Sequence, residues 1–311
     1  MQGGFSIMDA LYVIQDEKNR GIIEQIKKKL GDGLHVDDIF CCHLPKCIQS
    51  HFSSFLCFLP FEQALRLALK LEDYDQKTSR LLGKSLMGPG LLLVGCLIGI
   101  QLFNALCYPA LINLMRGFEA NTLGLQVMHT VLTITTFLVF GLLFIFIAVF
   151  VYFASPKRQV MGYIIACRLH LGYLLCHFMS GQFAYYFNEC VESGCMTQKT
   201  LLILQRIKKK PLLVFLAYHV EQALLKGETI EIAMGHRFMD PSLQKFMQIA
   251  VHSSSLKQML NSYITLNQKR GQFICRRWSQ RITAFAYATI GILVLFVYQI
   301  LLLPLSIMGQ M

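Results

Sequence analysis

Charge is what this sequence has least of. Only 15% of its 311 residues are Asp, Glu, Lys or Arg, against about 25% in an average soluble domain. That excludes a surface exposed wholly to water. Three stretches carry no charged residue: 85–115, 120–156 and 282–311. Each exceeds the roughly 20 apolar residues with which an α-helix crosses about 30 Å of hydrocarbon. Their expected membrane cores are 86–106, 131–153 and 282–303. None stands at the N-terminus behind a basic segment, so none reads as a cleaved signal peptide. The absence of charge inside these cores removes the usual marker of an ion or proton path.

Other absences narrow the chemistry. No His-Glu-x-x-His and no Gly-x-Ser-x-Gly pattern occurs, which leaves no metalloprotease or serine-hydrolase signature. Leu82-Gly83-Lys84-Ser85 resembles the end of a phosphate-binding loop, but the first glycine of that motif is replaced by Thr78. Lys84 therefore reads as an anchor at the membrane edge. The 11 cysteines are odd in number and have no C-x-x-C spacing, so neither a disulfide framework nor a zinc site is indicated. The densest group of soft ligands is Cys41, Cys42, His43, Cys47 and His51, read as buried thiols with a surface histidine. Strand alternation and Asn-Gly turns are missing, and the fold is expected to be all-α. No catalytic residue, cofactor or metal is assigned.

What charge there is falls unevenly. Residues 1–84 hold 11 basic and 11 acidic residues, residues 157–281 hold 17 and 6, and the 110–130 connection has the single basic residue Arg116. Basic loops stay on the cytoplasmic side. The expected order is a cytoplasmic helical domain at 1–84, membrane helices at 86–115 and 131–153, and an external loop at 116–130 between them. A second cytoplasmic domain at 157–281 and a third membrane helix at 282–306 follow, with the C-terminus outside. The run 169–188 is also uncharged, yet it contains His170, His177, Ser180, Gln182 and Asn188. It is expected to form a buried helix of the second domain. The excess positive charge of 157–281 suits apposition to anionic lipid or an acidic protein partner. No base-stacking motif accompanies it, so direct nucleic-acid binding is not expected.

The halves of the chain resemble each other. Phe61-Glu-Gln-Ala-Leu-Arg-Leu-Ala-Leu-Lys-Leu71 aligns with Leu256-Lys-Gln-Met-Leu-Asn-Ser-Tyr-Ile-Thr-Leu266 at an offset of 195, which also carries Pro109 onto Pro304. Gly33 pairs with Gly227 at an offset of 194, and Gly4 with Gly194 at 190. The four glycines precede helical patterns, where a chain leaving one helix needs φ > 0. Asp240-Pro241 reads as an N-cap with proline at the first helical position. Each unit is expected to be a helical bundle followed by a membrane helix, with the first copy lacking a counterpart of the 175–193 helix. Pro109 and Pro304 are expected to bend or end their helices. Lys27–Lys29 and Lys208, Lys209 and Lys210 are charge runs that suit a solvated face or a partner contact. Arg276, Arg277 and Arg281, with Trp278, read as interfacial anchors of the last membrane helix.

Phe183-Ala-Tyr-Tyr-Phe-Asn-Glu-Cys-Val-Glu-Ser-Gly-Cys-Met-Thr-Gln-Lys-Thr-Leu201 resembles the opening of the type II secretion F / type IV pilus platform family. The helix led by Gly227, the segment 256–260 and the membrane helix with Pro304 follow in that family's order. The Gly-Glu pair of secretion members is replaced by Ala250-Val251 in the second repeat and Phe55-Leu56 in the first, so no acidic metal site is carried over. Short length and loss of those motifs make the chain more similar to the competence pseudopilus branch of Gram-positive bacteria. The resemblance implies a non-enzymatic scaffold in the bacterial cytoplasmic (inner) membrane, homo-oligomeric and in contact with lipid. A cytoplasmic hexameric ATPase would engage its soluble domains, and prepilin or pseudopilin subunits would be extracted beside its membrane helices. Alternatives are the platform of a type II secretion or tight-adherence system and, from another class, a transporter or membrane enzyme with a cytoplasmic site.

Overall fold

The computed structural model describes residues 12–13, 20–32, 39, 43–116, 155–168, 172–207, 209–253 and 256–308, with scattered positions between 126 and 152. The described residues are helical with short connections, and no strand occurs among them. In chain order the helices are α1 (Arg20–Gly31), α2 (Lys46–Leu56), α3 (Phe61–Leu102), a π turn (Phe103–Cys107) and α4 (Tyr108–Arg116). These are followed by α5 (Pro156–Arg168), α6 (Tyr173–Glu192), α7 (Thr197–Gln205), α8 (Pro211–Leu225), α9 (Ile230–Ala233), α10 (Pro241–Ser253) and α11 (Leu256–Met308). Two compact units result: Met1–Thr78 with Ser155–Lys269, and Ser79–Ala154 with Arg270–Met311.

The first unit has one continuous core. α2 and α3 supply Phe52, Phe55, Ala64, Leu67, Ala68, Leu71 and Tyr74, and these pack with Phe183, Tyr186, Phe187, Leu201, Leu204, Leu216, Val220, Met247, Leu260 and Tyr263. The spacing of the α3 residues, at 64, 67, 68, 71 and 74, is the i, i+3, i+4, i+7 stripe of a helix with one buried face. The two sequence stretches of the repeat thus share a core. The uncharged run around 169–188 becomes α6, whose buried residues include His177, Ser180, Phe183, Ala184, Tyr186 and Phe187. A smaller apolar cluster joins Ile23, Ile26 and Ile39, with Leu30 packed against it.

Local signals set the helix ends. Gly194 and Gly227 both have φ +85°. Gly194 N–H donates to the Val191 carbonyl at 3.0 Å and Cys195 N–H to that of Cys190 at 3.1 Å; Gly227 and Glu228 repeat the pattern on Leu224 and Ala223 at 3.0 and 3.1 Å. These paired bonds close α6 and α8 through a left-handed residue that only glycine adopts without strain. At the start of α10, Ser242 N–H donates to Asp240 Oδ1 at 2.8 Å, and Pro241 occupies the first turn. Gly4 and Gly33 lie outside the described residues.

Close approach fixes one further glycine. A Cβ at Gly181 would stand 2.1 Å from Asn267 Oδ1 and 2.8 Å from its Cγ. Asn267 is itself buried and bonded to the His177 carbonyl, so it has little room to move. Gly181→Ala is expected to destabilise the first unit by about 1–3 kcal/mol, the usual cost of overpacking. Thermal unfolding of the purified chain followed by circular dichroism checks it, and an unchanged midpoint would refute the contact.

In the second unit, the helical stretch Met87–Ala110 is 24 residues long with mean hydropathy 2.1, and 12% of its apolar window is buried. Among the described residues it is the one helix long and apolar enough to cross a membrane. Pro109 does not end it. The ladder widens to a π turn over Phe103–Cys107, where Tyr108 N–H donates to the Phe103 carbonyl, and α4 continues to Arg116. A proline lacks an N–H and clashes with the carbonyl four residues back; a wider turn just before it relieves that crowding. Pro304 likewise lies within α11, which runs on to Met308. Most of 131–153 lies outside the described residues.

Candidate functional site

The first unit holds a polar centre built around Asp75. Continuing the α3 core stripe from Leu71 by one turn reaches position 75, so a carboxylate stands where the pattern asks for an apolar side chain. It is paired from three directions. From α6, Gln182 Nε2 donates to Oδ1 at 2.6 Å and Tyr186 Oη donates to Oδ2 at 2.7 Å. Gln182 and Tyr186 are one turn apart and share a helix face. From the residue before α8, Lys210 Nζ lies 2.7 Å from Oδ2. From α2, His51 Nε2 is 3.8 Å from the same oxygen.

Burial shapes the chemistry of this centre. His51 is 2% exposed and packs edge-on against the Tyr186 ring at 5.8 Å. Burial lowers its pKa, since water no longer solvates the imidazolium; Asp75 pulls the other way, and Lys210 reinforces the lowering. Tyr186 is held far above the ordinary phenol range, first by burial and then by the Asp75 charge. Tyr74, stacked at 3.9 Å on Tyr185, is pushed up to about 12, again chiefly by burial. One turn back, Lys70 pairs with Glu189 at 2.7 Å and fastens α3 to α6 a second time. These are properties of a joint between helices.

A second buried network lies between α6, α10 and α11. His177 Nδ1 is 2.8 Å from Asp240 Oδ2, and Nε2 is 3.1 Å from the Asn267 carbonyl. Asp240 N–H donates to Ser180 Oγ at 2.7 Å. Burial alone would raise the Asp240 pKa, but hydrogen bonds from His177 and Ser242 outweigh it and the net shift is downward. Sequence reading missed both networks. The available signals were polar residues on apolar stripes: Asp75 on α3, and His177 and Ser180 on an uncharged helix.

The sequence-derived candidates are dispersed. Lys209 Nζ donates to the Lys46 carbonyl, Lys210 belongs to the Asp75 centre, and Lys208 lies outside the described residues. Arg276, Arg277 and Arg281 are exposed on α11. Arg277 lies over the Phe273 ring at 4.3 Å and Arg281 over Trp278 at 5.9 Å. Cys41 and Cys42 lie outside the described residues, Cys47 is exposed, and His51 turns to α3 carboxylates.

Comparison with known proteins bears on the α6–α11 portion. Residues 183–304 match the family model of the type II secretion system (T2SS), protein F. The matched segment opens at the Phe183 motif and closes at Pro304. It supports general membership of that family. No curated protein matches the chain. Proteins of that family are non-enzymatic scaffolds, and with the all-helical fold the match supports a general platform role.

Proposed function

We propose that this chain is a multi-pass platform of the bacterial inner membrane for assembly of a type IV pilus-like fibre, a pseudopilus serving competence DNA uptake. The observation that carries the reading is the family match over 183–304, joined to a helix at Met87–Ala110 able to span a bilayer. In this reading 86–115, 131–153 and 282–306 all cross the membrane. The segments 1–84 and 157–281 face the cytoplasm, 116–130 is external, and the C-terminus emerges outside. A cytoplasmic assembly ATPase pushes on the soluble unit, and prepilins leave the bilayer beside the membrane helices. A shared core suits that task, because a force applied to the 173–269 helices passes through Asp75 and Glu189 contacts into α3 without crossing a flexible linker.

Deletion of the gene is expected to abolish pseudopilus assembly and DNA uptake, with both restored by the intact chain in trans. Undiminished assembly in the deletion strain would overturn the reading. Reporter fusions test the topology separately. An alkaline phosphatase fused after Met311 is expected to be active, and one fused within 157–281 inactive.

A further inference from the structure

We infer that His51, Glu72 and Asp75 form a divalent-metal site whose cation place is held by Lys210 until a metal ion displaces it. This inference does not depend on the platform reading. One ligand atom from each of the three residues can be chosen so that all lie within 4.8 Å of one another. Glu72 and Asp75 are three apart on α3 and share a face; His51 approaches from α2.

The imidazole is the observation that points to a ligand. His51 is 2% exposed, and its Nδ1 has no hydrogen-bond partner. Its Nε2 faces Asp75 Oδ2 at 3.8 Å, beyond the roughly 2.7–3.2 Å of a hydrogen bond. Buried polar atoms left in this state are costly and uncommon. A buried imidazole that makes no hydrogen bond through Nδ1 and none to the facing carboxylate through Nε2 is able to offer a ring nitrogen to a metal. One imidazole and two carboxylates make an N/O donor set suited to Zn²⁺, Co²⁺ or Mn²⁺. Tetrahedral ligands at bond lengths near 2.0–2.1 Å stand about 3.4 Å apart. His51 and Asp75, now 3.8 Å apart, must therefore close by about 0.4 Å, and the trio, whose ligand atoms lie within 4.8 Å of one another, by up to about 1.4 Å.

The surroundings fit that use. Gln182 and Tyr186 donate to the Asp75 oxygens, as residues behind a metal-bound carboxylate do. Glu72 Oε1 accepts from Gln76 Nε2 at 3.1 Å. Lys210 Nζ now occupies the remaining approach to Oδ2 at 2.7 Å, and its side chain is 29% exposed. Lys209 is the other cation near His51, and its ammonium is turned to the Lys46 carbonyl. An ammonium neutralises the carboxylate through hydrogen bonds alone, whereas a divalent ion would take the His51 lone pair and the Glu72 and Asp75 carboxylates together. Metal capture would therefore tie α2 to α3 and return the Lys210 charge to solvent.

The test uses the full chain in detergent, stripped of metal and titrated with Co²⁺. The expected result is one equivalent bound, with d–d bands and no sulfur-to-cobalt charge-transfer band. His51→Gln is expected to weaken binding at least about ten-fold. Lys210→Met removes the competing cation and is expected to tighten binding several-fold, an effect a merely structural lysine would not give. Glu72→Gln, on a less buried side chain, weakens binding if His51→Gln should fail to fold. Absence of stoichiometric binding would overturn the site. So would a charge-transfer band marking cysteine ligands, affinity unchanged in both His51→Gln and Glu72→Gln, or weaker binding in Lys210→Met.

Discussion

Asp75→Leu is expected to lower the stability of the first unit by about 1–3 kcal/mol, because it strands the buried Tyr186 hydroxyl and unpairs the half-buried Gln182 amide. Tyr186 is fully buried, and its hydroxyl loses a 2.7 Å bond to Oδ2; Gln182 loses its 2.6 Å bond to Oδ1. Leaving a buried donor unpaired costs roughly 1–3 kcal/mol. Lys210 adds little to that sum, since its side chain is 29% exposed and can rehydrate; exposed ion pairs contribute roughly 0–1 kcal/mol. Lys210→Met alone should therefore lower stability by less than about 1 kcal/mol. The contrast between the two substitutions is the readout. In a unit of this size, 1 kcal/mol moves a melting midpoint by roughly 2–4 °C. Tyr186→Phe in the Asp75→Leu background should recover part of the loss, because the stranded hydroxyl is gone, and the non-additivity of the pair measures their coupling. A midpoint for Asp75→Leu within a degree of the parent would mean that Asp75 does not organise this centre.

The α3 stripe explains what could and could not be read from the sequence. Ala64, Leu67, Ala68, Leu71 and Tyr74 announce a helix with one buried face, and the uncharged segment from Ser85 announces a membrane-length helix; that the two form one continuous helix, Phe61–Leu102, is not legible in the spacing. Gly194, Gly227 and Asp240-Pro241 carry local rules, and local rules need no partner; their bonds could be anticipated from a few residues each. The polar centres could not. Asp75 meets Gln182 and Tyr186 across more than a hundred residues, and nothing in the spacing of either segment specifies the other. The internal repeat even directs attention elsewhere, because it pairs 61–71 with 256–266 as copies, whereas Leu67, Leu71 and Leu260 all belong to one core. His51 shows the same limit. Its sequence neighbour at helical spacing is Cys47, but side chains at i and i+4 share a helix face only in general; burial turned His51 inward to α3 and left Cys47 exposed.

The His177–Asp240 pair sets up the second large effect, and its sign depends on pH. His177→Ala is expected to destabilise the first unit by about 3–5 kcal/mol at neutral pH, the usual cost of leaving a buried carboxylate without its partner. Asp240 is 4% exposed, and with the 2.8 Å contact to His177 Nδ1 gone the principal bond opposing its burial is lost. In the parent chain the Asp240 pKa is below its ordinary 3.8. That shift contributes stability which is present above 3.8 and disappears as pH falls through the lower folded value. In His177→Ala only the Ser242 bonds remain to oppose desolvation, so the Asp240 pKa is expected to rise above its ordinary value, and the folded state then holds its proton more tightly than the unfolded chain. A group of that kind stabilises the fold when protonated and penalises it as pH rises through the raised value. The gap between the two proteins should consequently be widest near neutrality and narrow as the pH approaches the carboxylate range. Chemical denaturation of both proteins across that range measures the gap, with Asp240→Asn as the control that removes the titration. A gap that stays constant with pH would show that the His177 loss is felt as a cavity and not as an unpaired charge.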